Sequence, residues 1–128
     1  MNIEEVRELC LSLPGTTESF PFDETNLVFK VEGKMYLLLP LDADEPHVSL
    51  KCHTDHVEDL RARYAAVEGA YHFNKKYWNS IFLERDMPRG EIGRWIQHSY
   101  CEVLAKLPKK TQEKYKDFFA KQALCILP

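Results

Sequence analysis

The densest group of chemically active side chains lies in one stretch of the second half, from Tyr71 to Asn79. This stretch combines aromatic residues with a histidine, two asparagines and two lysines. Lysines neutralise phosphates and aromatic rings stack on bases, so the composition suits a hairpin that contacts nucleic acid. The same residues are ordinary at an exposed β-turn, because asparagine tolerates left-handed backbone and lysine protects a sheet edge. The residue types alone leave both interpretations open.

A second group of candidate ligands lies between His47 and His56. Cysteine and histidine are good zinc ligands, and His53 and His56 are three residues apart. The segment has no second cysteine pair, however, and Thr54 is typical of a helix cap. We therefore predict a strand-to-helix turn with solvent-exposed histidines, and no metal bound by Cys52, His53 and His56.

A thiol nucleophile needs a cysteine beside a histidine base, and His98 with Cys101 is such a pair on successive turns of a predicted helix. Cys101 fits the apolar side of that helix as a small filler, and His98 with Glu102 is predicted to be an ordinary surface pair. The chain also has no Gly-rich phosphate loop and no hydrolase or metalloprotease motif. We expect a protein that is not an enzyme and that carries no cofactor.

Length and charge limit the classes of protein that fit this chain. Its 128 residues, 45% hydrophobic and 29% charged, suit one globular domain spanning residues 1–128. No apolar run approaches the roughly 20 residues of a membrane helix, and the N-terminus lacks a signal peptide, so we expect a cytoplasmic protein without a membrane partner. The net charge of −3 hides an asymmetry: residues 1–68 carry 6 Lys+Arg and 14 Asp+Glu, whereas residues 69–128 carry 11 and 6. Any anion-binding surface should come mainly from the second half.

Hydrophobic periodicity predicts the elements that must position these side chains. Groups of strands separated by helices indicate an α+β fold with an antiparallel sheet of about five strands, one face covered by helices and the other wet. The stretch from Glu18 to Phe22 is predicted to be an edge strand or a loop, since Pro21 interrupts it. The predicted elements are a helix over Asn2–Leu13, strands at Leu27–Val31, Lys34–Pro40 and His47–Lys51, a helix over Asp55–Tyr64, a hairpin of Ala70–Phe73 with Trp78–Leu83, a helix from Pro88 to Leu107, and a helix over Gln112–Ala123.

Alternation along the last strand predicts where its side chains point. Trp78 and Phe82 share one face and form its heavier apolar side, so Trp78 is expected to pack on the core. Lys75 and Lys76 are expected to be exposed at the tip of the hairpin. At the C-terminus, the apolar segment from Ala123 to Leu127 is expected to pack against the domain or a second copy of it.

Several stretches together resemble one family. The segment Gly69–Asn79 closely resembles the signature of the MmcQ/YjbR family, from which it departs at Phe73, where the family usually has Met, and at Tyr77, where it usually has His. The resemblance covers about residues 1–116, and residues 117–128 extend beyond the usual family end. The other matching stretches are Leu13–Phe22, Val28–Tyr36, Val48–Cys52, His98–Tyr100 and Ala105–Lys110.

The resemblance implies a compact α-β(3)-α-β(2)-α fold of the YjbR type, similar to that of secretion chaperones. It also implies a DNA-binding role, a description of the family that rests largely on fold analogy. No enzyme activity, metal or cofactor comes with it. In this interpretation lysines and an arginine neutralise phosphates of double-stranded DNA while polar side chains of the hairpin donate or accept hydrogen bonds. The candidate contacts are His72, Asn74, Lys75, Lys76, Asn79, Arg85, Lys109 and Lys110.

The alternative is a module that binds a protein or a small ligand and has no role with nucleic acid. The acidic first half and the chaperone-like architecture favour this alternative, whereas the basic second half favours DNA.

Overall fold

A computed structural model describes residues 1–121 of the chain, with side chains through Phe118. The expected packing of Ala123 to Leu127 lies outside the described residues. The elements, in chain order, are α1 (Ile3–Ser12), β1 (Thr16–Ser19), β2 (Asn26–Val31), β3 (Lys34–Pro40), β4 (His47–Lys51), α2 (Thr54–Arg63), β5 (Val67–Gly69), β6 (Trp78–Phe82), α3 (Arg89–Ala105), α4 (Lys109–Gln112), a 3-10 turn (Glu113–Tyr115) and α5 (Lys116–Lys121).

The six strands form one sheet in the order β1-β2-β3-β4-β6-β5, and every neighbouring pair is antiparallel. The predicted α+β class with an antiparallel sheet is therefore confirmed. The additional strand, β1, lies at the sheet edge and begins earlier than the predicted segment because it pairs Thr16 with Val31 and Ser19 with Val28.

Helix α3 packs on β2, β3 and β4 and covers the core face of the sheet. Its residues Ile92, Ile96, Tyr100 and Leu104 recur every four positions and are fully buried, as expected for the inner stripe of an amphipathic helix. Each large apolar side chain buried in this way contributes about 1.5–3 kcal/mol relative to an exposed position. This packing fixes the positions of β2, β3 and β4 relative to α3.

The strands predicted at Leu27–Val31 and Lys34–Pro40 form the hairpin of β2 and β3, which turns at Glu32 and Gly33. Both residues have positive φ, 49° and 75°, which is the backbone that a two-residue hairpin turn requires. The register then shifts between Phe29 and Lys30, so β3 carries one extra residue, Tyr36. This bulge allows Tyr36 and its neighbour Leu37 both to be fully buried.

Ser99 of α3 links β3 to β4 where their ladder stops. Its hydroxyl donates to the carbonyl of Tyr36 at 2.5 Å and accepts from the N–H of Lys51 at 2.8 Å. The neighbouring Tyr100 hydroxyl donates to the carbonyl of Pro14 at 2.5 Å. This stretch of α3 therefore has a structural role, since its side chains hold backbone from other parts of the chain.

Three predicted boundaries are wrong for local reasons. The strand expected at Ala70–Phe73 is a loop, and the partner of β6 is the earlier segment β5. Helix α2 is capped by His53, whose Nδ1 accepts from the N–H of Asp55 at 3.1 Å, and not by Thr54. The helix expected over Gln112–Ala123 is preceded by α4, which begins directly after Pro108, so Thr111 lies within α4 and is not a cap.

Candidate functional site

The residues between β5 and β6, 70–77, form a loop that we call the motif loop. Arg61 of α2 holds its end: the Arg61 guanidinium donates through Nη2 to the carbonyl of Lys75 and, at 3.2 Å, to that of Trp78. Asn79 orients this guanidinium by accepting from Arg61 Nε at 2.7 Å. The Asn79 amide donates in turn to the carbonyl of Val57 at 3.2 Å. The motif loop is therefore fixed to α2.

Asn74 shapes the turn inside the motif loop. Its Oδ1 accepts from the N–H of Lys76 at 3.0 Å, and its carbonyl accepts from the N–H groups of Tyr77 and Trp78, each at 3.0 Å. His72 has a φ of 70°, a left-handed backbone that costs a non-glycine residue free energy. The predicted turn chemistry is thus present, although the loop is longer than the predicted one.

Lys75 and Lys76 are both exposed, as predicted. The stem of Lys75 lies over Gly69, where an added Cβ would be 3.0 Å from Lys75 Cδ. Its Nζ is 5.9 Å from the centre of the Tyr71 ring, within range of a cation–π contact. The Lys75 ammonium therefore lies beside an exposed aromatic ring.

Trp78 does not face the core, contrary to the prediction. The register pairs Trp78 with Lys51 on the outer face of the sheet, while Asn79 and Ile81 point to the core side and are fully buried. Trp78 is half-buried on this outer face and stacks on Phe73, with ring centres 4.6 Å apart and planes at 23°. The alternation was ambiguous because apolar residues occupy both faces of β6.

Two adjoining depressions, which we call the basic depressions, share Trp78, Lys51 and Lys106 in their linings. They have volumes of about 360 and 350 Å³, and the second also contains Lys34. Burial, and then the nearby charge of Lys106, lowers the pKa of the Lys51 ammonium, whereas Glu102 opposes this shift. Three lysines from β3, β4 and the end of α3 thus line the same depression as Trp78.

Two candidate phosphate contacts, Asn79 and Arg85, are already bound by other side chains of the protein. Asn79 is fully buried and occupied by Arg61, so it positions the motif loop. Arg85 forms ion pairs with Glu45 at 2.6 Å and Glu68 at 2.7 Å, and hydrogen bonds to these carboxylates raise its pKa. A guanidinium already shared by two carboxylates carries no excess positive charge for DNA.

Lys109 and Lys110 are exposed in the first turn of α4. They follow Lys106 along the chain, after Leu107 and Pro108. The sequence does not indicate that Lys51 and Lys34 line the basic depressions. The polar positions of β3 and β4 were visible in the alternation, but their convergence on Trp78 depends on sheet register, which the sequence does not show.

A third concavity, the outer-face cleft, has a volume of about 400 Å³. One wall is Phe22, and the other is the Tyr71–Phe73 part of the motif loop. Strands β2, β3, β4 and β6 form the floor. The lining residues are Phe22, Asn26, Leu38, Pro40, His47, Ser49, Tyr71, His72, Phe73 and Ser80. The cleft and the basic depressions are separated by the stacked rings of Phe73 and Trp78.

The histidines near Cys52 are organised around α2 and α3. His53 and His56 are exposed, as predicted, whereas His98 is only 5% exposed and is not a surface partner of Glu102. His98 Nε2 accepts from the N–H of His53 at 3.1 Å. Burial, and then the charges of His56 and His53, lowers the pKa of His98 to about 4. Burial also raises the pKa of the Cys52 thiol to about 12.

Among residues 1–121 no group of three potential ligands is arranged to hold a metal ion.

Comparison with known proteins identifies relatives along most of the chain. A family model described as YjbR matches residues 11–102. Uncharacterized protein YjbR of Escherichia coli K12 is 27% identical over 113 residues, which cover 88% of this chain and 96% of that protein. Uncharacterized protein YbdF of Escherichia coli O157:H7 is 26% identical over 113 residues, covering 88% and 93%.

Solved structures agree with this fold. The crystal structure of Deinococcus radiodurans protein DR2400, with the domain DUF419, has a TM-score of 0.83 and 32% identity and covers 88% of this chain and 86% of that one. A Pseudomonas syringae protein with 23% identity has a TM-score of 0.66 and covers 76% of this chain and 94% of that one. Across residues 1–121, the helices are too short or too polar to span a membrane.

Proposed function

The chain belongs to the YjbR family, and we propose that it is a non-catalytic DNA-binding protein that contacts phosphates through the motif loop and the basic depressions. In this proposal Lys75 and Lys76 are the contacts from the motif loop. Lys51 and Lys106 are the contacts from the basic depressions. Lys109 and Lys110 extend the same surface beyond α3, and His72 and Asn74 provide polar groups beside it.

One observation carries the proposal: Lys34, Lys51 and Lys106 line one depression together with Trp78. The strand that begins at Trp78 follows directly from the loop that exposes Lys75 and Lys76. Phosphate binding requires cations that act on one surface, and partial burial strengthens their interaction with an anion because water screens it less. The pKa of Lys51 is lowered mainly by burial and then by the charge of Lys106, so Lys51 is a partly buried cation with a second cation nearby.

The net charge of −3 does not argue against local phosphate binding. Arg85 is neutralised by Glu45 and Glu68, and Arg7 pairs with Glu18. The acidic residues of the first half thus neutralise arginines elsewhere on the surface. A local positive patch on an acidic protein attracts DNA most strongly at low ionic strength.

Titration of a labelled duplex at low salt tests this proposal. The double variant Lys51→Gln, Lys106→Gln should bind more weakly than the wild type, because each substitution removes a cation and keeps a similar stem. The control Lys114→Gln, Lys116→Gln makes the same change in net charge outside both depressions and should bind as the wild type does. Equal weakening by both double variants would mean that only net charge matters and would overturn the assignment.

The outer-face cleft favours a second candidate function, a module that binds a protein or a small ligand and has no role with nucleic acid. Phe22 and Tyr71 at its rim are 65% and 75% exposed, which is unusual for large aromatic side chains beside a concave surface. This candidate predicts no binding of the duplex even at low salt. The same titration therefore separates the two functions.

A further inference from the structure

The walls of the outer-face cleft are aromatic rings available for stacking. Tyr71 is 75% exposed and Phe22 65% exposed, and both line the cleft. Phe73 completes the wall on the side of the motif loop and is backed by Trp78 at 4.6 Å. A planar ligand that enters between these walls meets ring faces without displacing core side chains.

Hydrogen bonds order the backbone next to both walls. Asp23 accepts from the N–H groups of Thr25 and Asn26 at 2.9 and 2.8 Å, which sets the loop that carries Phe22. These bonds lower the pKa of the Asp23 carboxyl, with the backbone of Thr25 as the largest cause. On the opposite side, the N–H of Phe73 donates to the carbonyl of Ala70 at 3.3 Å, and Arg61 holds the later part of the motif loop through the carbonyls of Lys75 and Trp78. Such preorganisation lowers the entropic cost of binding.

The floor of the cleft offers both a hydrogen-bond donor and an acceptor. Ser49 and Ser80 are buried, and their hydroxyl oxygens are 3.0 Å apart. One mutual bond uses one hydroxyl hydrogen, so the other is available to donate. His47 Nδ1 lies 2.9 Å from the carbonyl of Glu45, to which it donates, so Nε2 of the neutral ring is an acceptor. A hydrocarbon ligand would leave these polar groups desolvated and unpaired.

A cation lies at the rim of the same cleft. Lys75 Nζ is 5.9 Å from the centre of the Tyr71 ring that forms the wall. An aromatic heterocycle with polar edges and an attached anion therefore matches the walls, the floor and the rim together. A nucleotide unit has this combination, and a base can reach such a cleft only when it is not paired and stacked in a duplex.

We propose that the outer-face cleft receives one unstacked base of single-stranded DNA, stacked on Tyr71 or Phe22, with its adjacent phosphate at Lys75. This inference rests on the proposed function, since the phosphate contacts of the motif loop hold the strand against the cleft. The cavity volume of about 400 Å³ lies in the range of roughly 300–1,000 Å³ that is usual for small-ligand pockets. Single strands should thus gain a contact that an intact duplex cannot make.

Two single strands with the same number of phosphates test the base contact directly. One strand is a labelled oligodeoxynucleotide, and the other has the same backbone but abasic sites throughout. The wild type should bind the base-bearing strand roughly tenfold more tightly, as expected for one base stacked on an aromatic side chain. Equal affinity for the two strands would overturn the base contact, and the proposed phosphate contacts would still stand if both strands bind.

Exposed positions provide variants that leave the core unchanged. At least one of the variants Tyr71→Ala and Phe22→Ala should remove most of the tenfold preference, and both should bind the abasic strand as the wild type does. Phe20→Ala is the matched control, because Phe20 is 47% exposed and does not line the cleft. If Tyr71→Ala weakens binding of both strands equally, the ring does not contact a base. If a free mononucleotide binds as tightly as the base-bearing strand does, the base comes from a small molecule. That result would also overturn the single-strand assignment.

Discussion

Arg61 of α2 and Asn79 of β6 form a hydrogen bond of 2.7 Å between guanidinium Nε and amide Oδ1. Asn79 is fully buried, and the same Arg61 guanidinium donates to the carbonyls of Lys75 and Trp78. One buried amide therefore sets the position of the arginine that holds the motif loop. The asparagine that ends the family-like segment thus supports the structure of the motif loop.

The Arg61 contact makes a stability prediction. Arg61→Met should lower the free energy of unfolding by about 2 kcal/mol, because hydrogen bonds to a charged group are lost and Asn79 keeps an unpaired buried acceptor. Urea denaturation measures this change. Arg63→Met is the matched control on the same helix: Arg63 is exposed, so the expected change is within about 0.5 kcal/mol. Equal small effects of both substitutions would show that the contact does not stabilise the fold.

Gly15 makes a second stability prediction. Its φ is 75°, and an added Cβ would lie 2.5 Å from the hydroxyl oxygen and 3.2 Å from two ring carbons of Tyr115. Gly15→Ala should therefore destabilise the protein by about 2 kcal/mol or more, from backbone strain and from displacement of Tyr115. Gly90→Ala is the control, since a Cβ there meets open space within α3 and should stabilise by up to about 1 kcal/mol. Thermal unfolding of the two variants should shift the midpoint in opposite directions.

His98 makes the pH prediction. Its pKa in the folded protein is about 4, below the ordinary 6.5, because burial and the neighbouring His56 and His53 disfavour the charged ring. The unfolded state binds a proton first as pH falls. Stability is therefore fully present above about pH 6.5 and is lost as pH falls from 6.5 toward 4, by about 3 kcal/mol in total.

Comparing the wild type with His98→Gln separates the effect of His98 on stability from that of the carboxylates, which also titrate in acid. The amide oxygen of Gln can accept from the N–H of His53 but does not titrate. The free energy of unfolding, measured from pH 7 to pH 4, should fall less steeply for His98→Gln than for the wild type. Parallel pH profiles would show that His98 does not titrate as described.

The sequence predicted the parts of the fold that depend on local patterns. The helix at Asn2–Leu13, the strands at Leu27–Val31 and Lys34–Pro40 and the exposed Lys75 and Lys76 follow from periodicity and turn chemistry, which local residues determine. Trp78 was assigned to the wrong face because apolar residues alternate on both sides of β6. The face is decided by tertiary packing, because α2 contacts Asn79 and the hydrophobic core encloses Ile81. The strand sequence alone does not show which of its faces will be covered.

The candidate site was less predictable, since charge pairing depends on tertiary contacts. Arg85 looked like a phosphate contact, but Glu45 and Glu68 approach it from other strands and connections. Asn79 looked like a polar hairpin residue, yet α2 covers it. Conversely, Lys51 joins Lys106 because β4 ends beside α3. Each of these outcomes follows from long-range neighbours, for which linear charge counts carry no information.

The salt dependence of duplex binding tests the central claim most directly. Each phosphate contact releases counterions, so the logarithm of the wild-type affinity should fall linearly with the logarithm of salt concentration, with a slope near −0.9 per contact. The double variant Lys75→Gln, Lys76→Gln should keep its fold and should reduce the magnitude of this slope by up to about 2. Absence of duplex binding at low salt, or a slope unchanged by the double substitution, would contradict phosphate binding by the motif loop.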